Sequence, residues 1–131
     1  MQKLYSVKQN RTEMNNILII DDDTDMCWVL SEVLKEEGYG THIVHDKKNA
    51  LSGLAKQKYD LVVLDYKIGD EDGLSILEEI KKKKYSGKVV MISAYGNKEI
   101  NEKARLNGAV DFIDKPFDIV KFVNKINKLI K

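Results

Sequence analysis

A chain of 131 residues, 43% apolar and 33% charged, has the size and balance of a single globular domain with a proper core. Its formal net charge of +1 gives no electrostatic case for nucleic acid or an anionic membrane surface, and no wholly apolar run approaches the roughly 20 residues of a membrane helix. One cysteine, Cys27, cannot close an internal disulfide, and no apolar signal segment opens the chain, so a cytoplasmic location is expected.

Residues 1–15 are polar, with scattered Leu4, Tyr5 and Val7 and no defensible period; they predict a flexible leader ahead of a domain at 16–131. Residues 17–20 (ILII) are too few for a helix and typical of a strand buried on both faces; they run into Asp21-Asp22-Asp23-Thr24-Asp25. Asp23 and Thr24 are good N-cap types, so a helix starts there, with an apolar stripe of Met26, Val29, Leu30, Val33 and Leu34 and a stop at Gly38. Residues 42–45 predict a weaker strand whose His42 and His45 read as structural residues away from the site. Ala50, Leu51, Leu54 and Ala55 predict a helix over 49–58.

The central stretch is 61–73, LVVLDYKIGDEDG. Its apolar run ends on one carboxylate, Asp65, and passes through a polar, glycine-containing loop to a helix carrying Leu74, Leu77 and Ile80. Lys81 to Lys84 close that helix, where positive charge suits the C-terminal dipole. Residues 89–93 predict a strand ending in the hydroxyl of Ser93, and residues 97–107 a helix with Ile100, Ala104 and Leu106, stopped at Gly108. A last strand over 109–113 is followed by Asp114-Lys115-Pro116-Phe117 and by a helix from Asp118 with Ile119, Phe122, Val123, Ile126, Leu129 and Ile130 on its stripe. Strands alternating with helices predict an α/β fold, an open parallel sheet with helices on both faces.

In such a sheet the carboxyl ends of the strands border the ligand crevice, which gathers Asp21, Asp22, Asp65, Ser93 and Lys115. Carboxylates at close quarters need protons or a cation, and hard oxygen ligands at an open site favour Mg²⁺. Aspartate is an established phosphoryl acceptor, and phosphoryl transfer needs little beyond in-line positioning and charge neutralisation. Asp65, alone at its strand end, is the expected nucleophile; Asp21 and Asp22 look like a metal-holding pair. Lys115 and Ser93 would neutralise the transferred oxygens.

The pieces ILIIDDD, LVVLDYKIGDEDG, VVMISAYG and DFIDKPF, in this order and spacing, resemble the receiver domain of two-component response regulators over residues 16–131. The resemblance implies a doubly wound, flavodoxin-like (βα)5 sheet of order 2-1-3-4-5. It implies a signalling switch rather than an enzyme, taking a phosphoryl group onto Asp65 from a sensor histidine kinase or histidine phosphotransfer protein. Asp22, Asp65 and the Lys67 backbone carbonyl would coordinate Mg²⁺ directly, with Asp21 acting largely through water. Ser93 would turn to the phosphoryl group and Lys115 would pair with it. Lys115–Pro116 matches the family's cis peptide, Phe112 its switch aromatic, and the small Ala94 keeps the phosphoryl site accessible.

The resemblance carries the signal to the surface of the fourth helix, fifth strand and fifth helix. There Lys98, Glu99, Lys103, Asp111, Lys121 and Lys125 are candidates to meet a downstream effector, an output domain or a second copy in a phosphorylation-dependent dimer. Two departures stand out. Gly69 replaces a proline usual after the phosphoacceptor, which predicts a more mobile loop. Lys67 and Tyr95 fill the variable positions that flank the phosphate and are expected to lengthen the phospho-state lifetime. Trp28 lies off the first helix's stripe and is expected to be partly exposed where a kinase or phosphotransfer helix would dock. MISAYG and KPFDI resemble receivers of the nitrogen-regulator type, which precede an ATPase and a DNA-binding module, and also relay receivers, so the output stays open.

Three other readings fit less well, one of them a pure binding module with a structural acid cluster. Asp21-x-Asp23-x-Asp25 with Glu32 imitates a calcium loop, but Met26 stands where its turn needs glycine. A haloacid-dehalogenase-type phosphatase also lines up Asp, Ser and Lys, but Asp25 stands where it carries Thr or Val.

Overall fold

The computed structural model describes residues 15–94 and 97–130; Tyr95 and most of the leader expected at 1–15 lie outside the described residues. In chain order the main elements are β1 (Asn16–Ile20), α1 (Thr24–Glu36), β2 (Gly40–Val44), α2 (Lys47–Lys56), β3 (Leu61–Asp65), α3 (Gly73–Lys82), β4 (Lys88–Ala94), α4 (Lys98–Leu106), β5 (Asp111–Lys115) and α5 (Ile119–Ile130). The five strands form one parallel sheet in the order β2-β1-β3-β4-β5, the predicted 2-1-3-4-5 arrangement.

The apolar runs are unbroken because helices cover both faces of the sheet. Leu18, Ile20, Val62, Leu64, Val89 and Met91 point to one face, under Ala50 of α2, Ile76, Leu77 and Ile80 of α3 and Ala104 of α4. Ile17, Ile19, Leu61, Val63, Val90, Ile92 and Ile113 point to the other, under Cys27, Leu30 and Leu34 of α1 and Phe122 and Ile126 of α5. Alternation along each strand thus decides which layer a strand-end side chain joins.

Three aspartates start helices by accepting a backbone N–H three residues on. Asp23 takes Met26 at 3.0 Å, Asp46 takes Asn49 at 2.8 Å and Asp72 takes Ser75 at 2.9 Å. Asp46 explains why α2 begins two residues before the predicted 49–58. The loop after Asp65 also differs from expectation. It forms a small hairpin, Lys67–Ile68 paired antiparallel with Glu71–Asp72, with Gly69 at φ +58° in the turn. The last strand begins at Asp111 rather than 109, because Ala109 is still donating its N–H to Ala104 in the cap of α4. Lys115 is therefore the final residue of β5, not a loop residue after it.

α1, α3 and α4 end in one motif, a left-handed residue followed by a backbone bond reaching back five residues. Gly38 and Gly108 hold the left-handed positions at φ +96° and +101°, with Tyr39 bonding Leu34 and Ala109 bonding Ala104. At α3 that position is Lys84, at φ +57°, with Tyr85 bonding Ile80. A side chain in this conformation costs roughly 1 kcal/mol that glycine does not incur. Lys84→Gly is therefore expected to stabilise the protein by about 1 kcal/mol, read as a higher urea midpoint with an unchanged slope.

Candidate functional site

The pairing of β1 with β3 sets Ile20 opposite Leu64, so Asp21 and Asp65 leave the same end of the sheet side by side. Both continue the α1–α5 face, following Ile19 and Val63. Lys115 follows Ile113 onto that face, and its Nζ lies 3.0 Å from Asp65 Oδ1. Asp21 and Asp65 are only 2% and 4% exposed, whereas Asp22 is exposed and accepts the Gly69 N–H on Oδ2 at 2.8 Å. Gly69 thus ties the hairpin turn to the acid cluster. One carboxylate oxygen from each of Asp21, Asp22 and Asp65 lies within 4.8 Å of the other two.

Burial pushes the Asp21 carboxyl up to about 6, opposed by the Asp23 N–H on its Oδ1 at 3.0 Å and reinforced by the charge of Asp65. Its Oδ2 is buried and has no hydrogen-bond partner among the described residues. Burial also raises Asp65 above the ordinary carboxylate range, against the pull of the Lys115 ammonium. Burial works against the charge of Lys115 as well, yet the Asp65 carboxylate holds it above the usual lysine value. Three clustered carboxylates, two of them buried and one carrying a buried oxygen with no partner among the described residues, are the hard donor set that suits a small dication such as Mg²⁺.

His45 lies beside this cluster, whereas its place on a weak strand predicts it away from the site. Its Nδ1 lies 2.8 Å from the backbone carbonyl oxygen of Asp21, because β2 pairs alongside β1 to its last residue. The Cys27 thiol reaches the same carbonyl at 3.4 Å, and burial, with the acidic cluster beside it, pushes it up to about 12, so it stays a packed thiol. Trp28, next along α1, is 63% exposed.

Gly73, the first residue of α3, also shapes the site. A Cβ there would stand 2.5 Å from the Asp65 carbonyl oxygen and 3.0 Å from Tyr66 Cα. Its N–H donates to the Tyr66 carbonyl, so α3 starts directly against the end of β3. The Asp-Gly pair marks a turn in the sequence but not this close approach.

Ser93 and Phe112 belong to the other face of the sheet. Ser93 continues Met91 toward α4, is 1% exposed, and donates its hydroxyl to Asn101 Oδ1 at 3.0 Å. Phe112 is half-buried against the same core as Ile100. Ala94 is exposed at the strand end, and Lys67 projects from the hairpin opposite Asp72. The Lys115–Pro116 peptide is cis. Among the surface candidates, Lys125 is engaged within the chain, its Nζ 3.3 Å from Asp111 Oδ1 and 3.0 Å from the Phe112 carbonyl. Lys103 pairs along α4 with Glu99 at 3.6 Å.

A five-stranded parallel α/β sheet with three acids, a hydroxyl and a lysine at its carboxyl edge defines a receiver-type domain. The chain belongs to the response regulator receiver domain family, whose pattern it matches over residues 17–127. It is 37% identical over 111 residues to the nitrogen assimilation regulatory protein NtrX of Azorhizobium caulinodans, covering 83% of this chain and 24% of that protein. It is 35% identical over 112 residues to sporulation initiation phosphotransferase F of Bacillus subtilis, covering 86% of this chain and 90% of that one. The crystal structure of the receiver domain of NtrX from Brucella abortus superposes with a TM-score of 0.81 at 35% identity, covering 87% of this chain and 97% of that chain. The chain thus spans about a quarter of the length of NtrX-type relatives and nearly all of the phosphotransferase.

A carboxyl raised from 3.8 to about 6 binds its proton more tightly in the folded state. Its contribution therefore favours folding below about pH 4 and is lost as the pH rises through 6. In metal-free buffer, Asp21→Asn is expected to stabilise the protein at pH 7.5 by about 1–3 kcal/mol and to flatten the pH dependence between 4 and 6, measured by urea denaturation across that range.

Proposed function

We propose that this receiver accepts a phosphoryl group on Asp65 from the phosphohistidine of a sensor kinase or histidine phosphotransfer protein and thereby acts as a signalling switch. The observation that carries this reading is the buried Asp65 carboxylate, paired with Lys115 at 3.0 Å and crowded by Asp21 and Asp22. An Asp65 oxygen attacks phosphorus in line. Its bond to phosphorus forms as the bond to the donor's imidazole nitrogen breaks, the electron pair leaving with the imidazole.

Asp22, Asp65 and the Lys67 backbone carbonyl would hold Mg²⁺, with Asp21 acting largely through water; the bound ion would supply positive charge against the carboxylates and the transferred oxygens. Lys115 pairs with the phosphoryl oxygens. Ser93 turns its hydroxyl toward them, and Phe112 moves into the space it leaves. Ala94 leaves the approach open, and Lys67 and Tyr95, each two residues after Asp65 and Ser93 in the sequence, slow the group's hydrolysis.

These movements re-shape the surface of α4, β5 and α5, where an effector, an output domain or a second copy would bind in a phosphorylation-dependent way. A cytoplasmic location suits the absence, among the described residues, of any helix long and apolar enough to cross a membrane. Similarity to NtrX favours an output domain, and similarity to the sporulation phosphotransferase favours a relay step. In either case this chain is the phosphoryl-accepting module and does not itself contact nucleic acid.

Intact mass after incubation with acetyl phosphate and Mg²⁺ tests the reading. Wild type should gain one phosphoryl group, and neither Asp65→Asn nor metal-free wild type should gain it. No gain in wild type would leave a metal-binding module, and gain in Asp65→Asn would mean another nucleophile. Once the phosphoprotein is made, Lys67→Ala and Tyr95→Ala should each shorten its half-life severalfold; unchanged decay in both would remove their shielding role.

A further inference from the structure

Resting on that reading, we infer that Asn101 is a positioning residue for the phosphoryl reaction: its side-chain oxygen on α4 holds the Ser93 hydroxyl away from Asp65 and must be exchanged for a phosphoryl oxygen. Ser93 is 1% exposed, so its hydroxyl needs a partner inside the protein, and the partner it has is Asn101 Oδ1 at 3.0 Å. A serine hydroxyl carries one proton and donates to one acceptor at a time. Donation to Asn101 and donation to a group on Asp65 are therefore alternatives. Alternation places them on opposite faces, since Ser93 continues Met91 under α4 while Asp65 continues Val63 under α1 and α5.

Asn101 sits one turn into α4 and donates its backbone N–H to Asn97 at 3.1 Å, so the acceptor is fixed to the helix itself. Ile100 beside it and Phe112 on β5 pack against the same core. Breaking the Ser93–Asn101 bond thus releases a polar tie between the end of β4 and α4. Because binding linkage is reciprocal, a partner that engages α4 and draws Asn101 away from Ser93 would also favour phosphorylation.

The test measures the initial rate of phosphoprotein formation by intact mass with acetyl phosphate and Mg²⁺. Here an Asp65 oxygen bonds phosphorus while the bond to acetate breaks, its electron pair leaving with acetate. Asn101→Ala and Asn101→Leu should each raise the rate by about three- to tenfold, the span of one net hydrogen bond. In a Ser93→Ala background the same substitutions should change nothing. A purely structural asparagine would lower stability without accelerating the reaction, and a rate equal to or below wild type would overturn the proposal. So would an acceleration that persists without the Ser93 hydroxyl.

A second cycle needs no phosphorylation. The unfolding constants of wild type, Ser93→Ala, Asn101→Ala and the double variant should show a coupling of about three- to tenfold. Absence of coupling overturns the proposal even if Ser93→Ala proves too slow to assay. Failure of wild type to take up phosphate would instead overturn the switch reading, and this inference with it.

Discussion

The acid cluster at the carboxyl edge of the sheet concentrates like charge where the protein can least solvate it, and much of the local structure answers to that. Asp21 and Asp65 are brought together by the pairing of β1 with β3, which also places Ile20 against Leu64 in the core. The residue pair that makes the site is thus one step beyond a pair that makes the fold, and a register slip would destroy both. Lys115 offsets part of the charge from the end of β5. The Asp23 and Gly69 backbone N–H groups take one oxygen each from Asp21 and Asp22. What remains, a buried oxygen on Asp21 with no partner among the described residues, is what a hard cation would complete.

The same alternation divides the site between the layers. Asp21, Asp65 and Lys115 lie with α1 and α5, whereas Ser93 and Phe112 lie with α2, α3 and α4. The charged half can change its electrostatics without touching α4. In the proposed switch Ser93, last but one in β4, would carry that change across the edge of the sheet.

The roster of strand-end residues is legible because the apolar runs of β1, β3 and β4 each stop on a polar side chain, whereas the strand order follows only from the resemblance to receiver domains. Boundaries were less legible where capping chemistry competes with hydrophobic pattern. Asp46 lengthened α2, and Ala109 looked like strand but is held by the cap of α4. The contact of His45 with the Asp21 carbonyl leaves no sequence signal, because a weak edge strand gives no hint of how far it runs beside its neighbour. Gly73 and Asn101 were invisible as site residues for a different reason. One acts by lacking a Cβ against the Asp65 carbonyl, the other by an acceptor eight residues from Ser93, and neither leaves a periodic trace.

Magnitudes favour a one-bond latch over a larger rearrangement as the source of bias. A neutral hydrogen bond such as Ser93–Asn101 contributes about 0.5–1.5 kcal/mol net, whereas one to a charged acceptor contributes about 1.5–3 kcal/mol. Exchanging the first for the second gives roughly 1–2 kcal/mol, within the 1–3 kcal/mol typical of coupling between two sites. A stronger latch would leave the switch closed after phosphorylation, and none would leave it partly open before. An asparagine oxygen, neutral and fixed to the helix that must respond, lies between those limits.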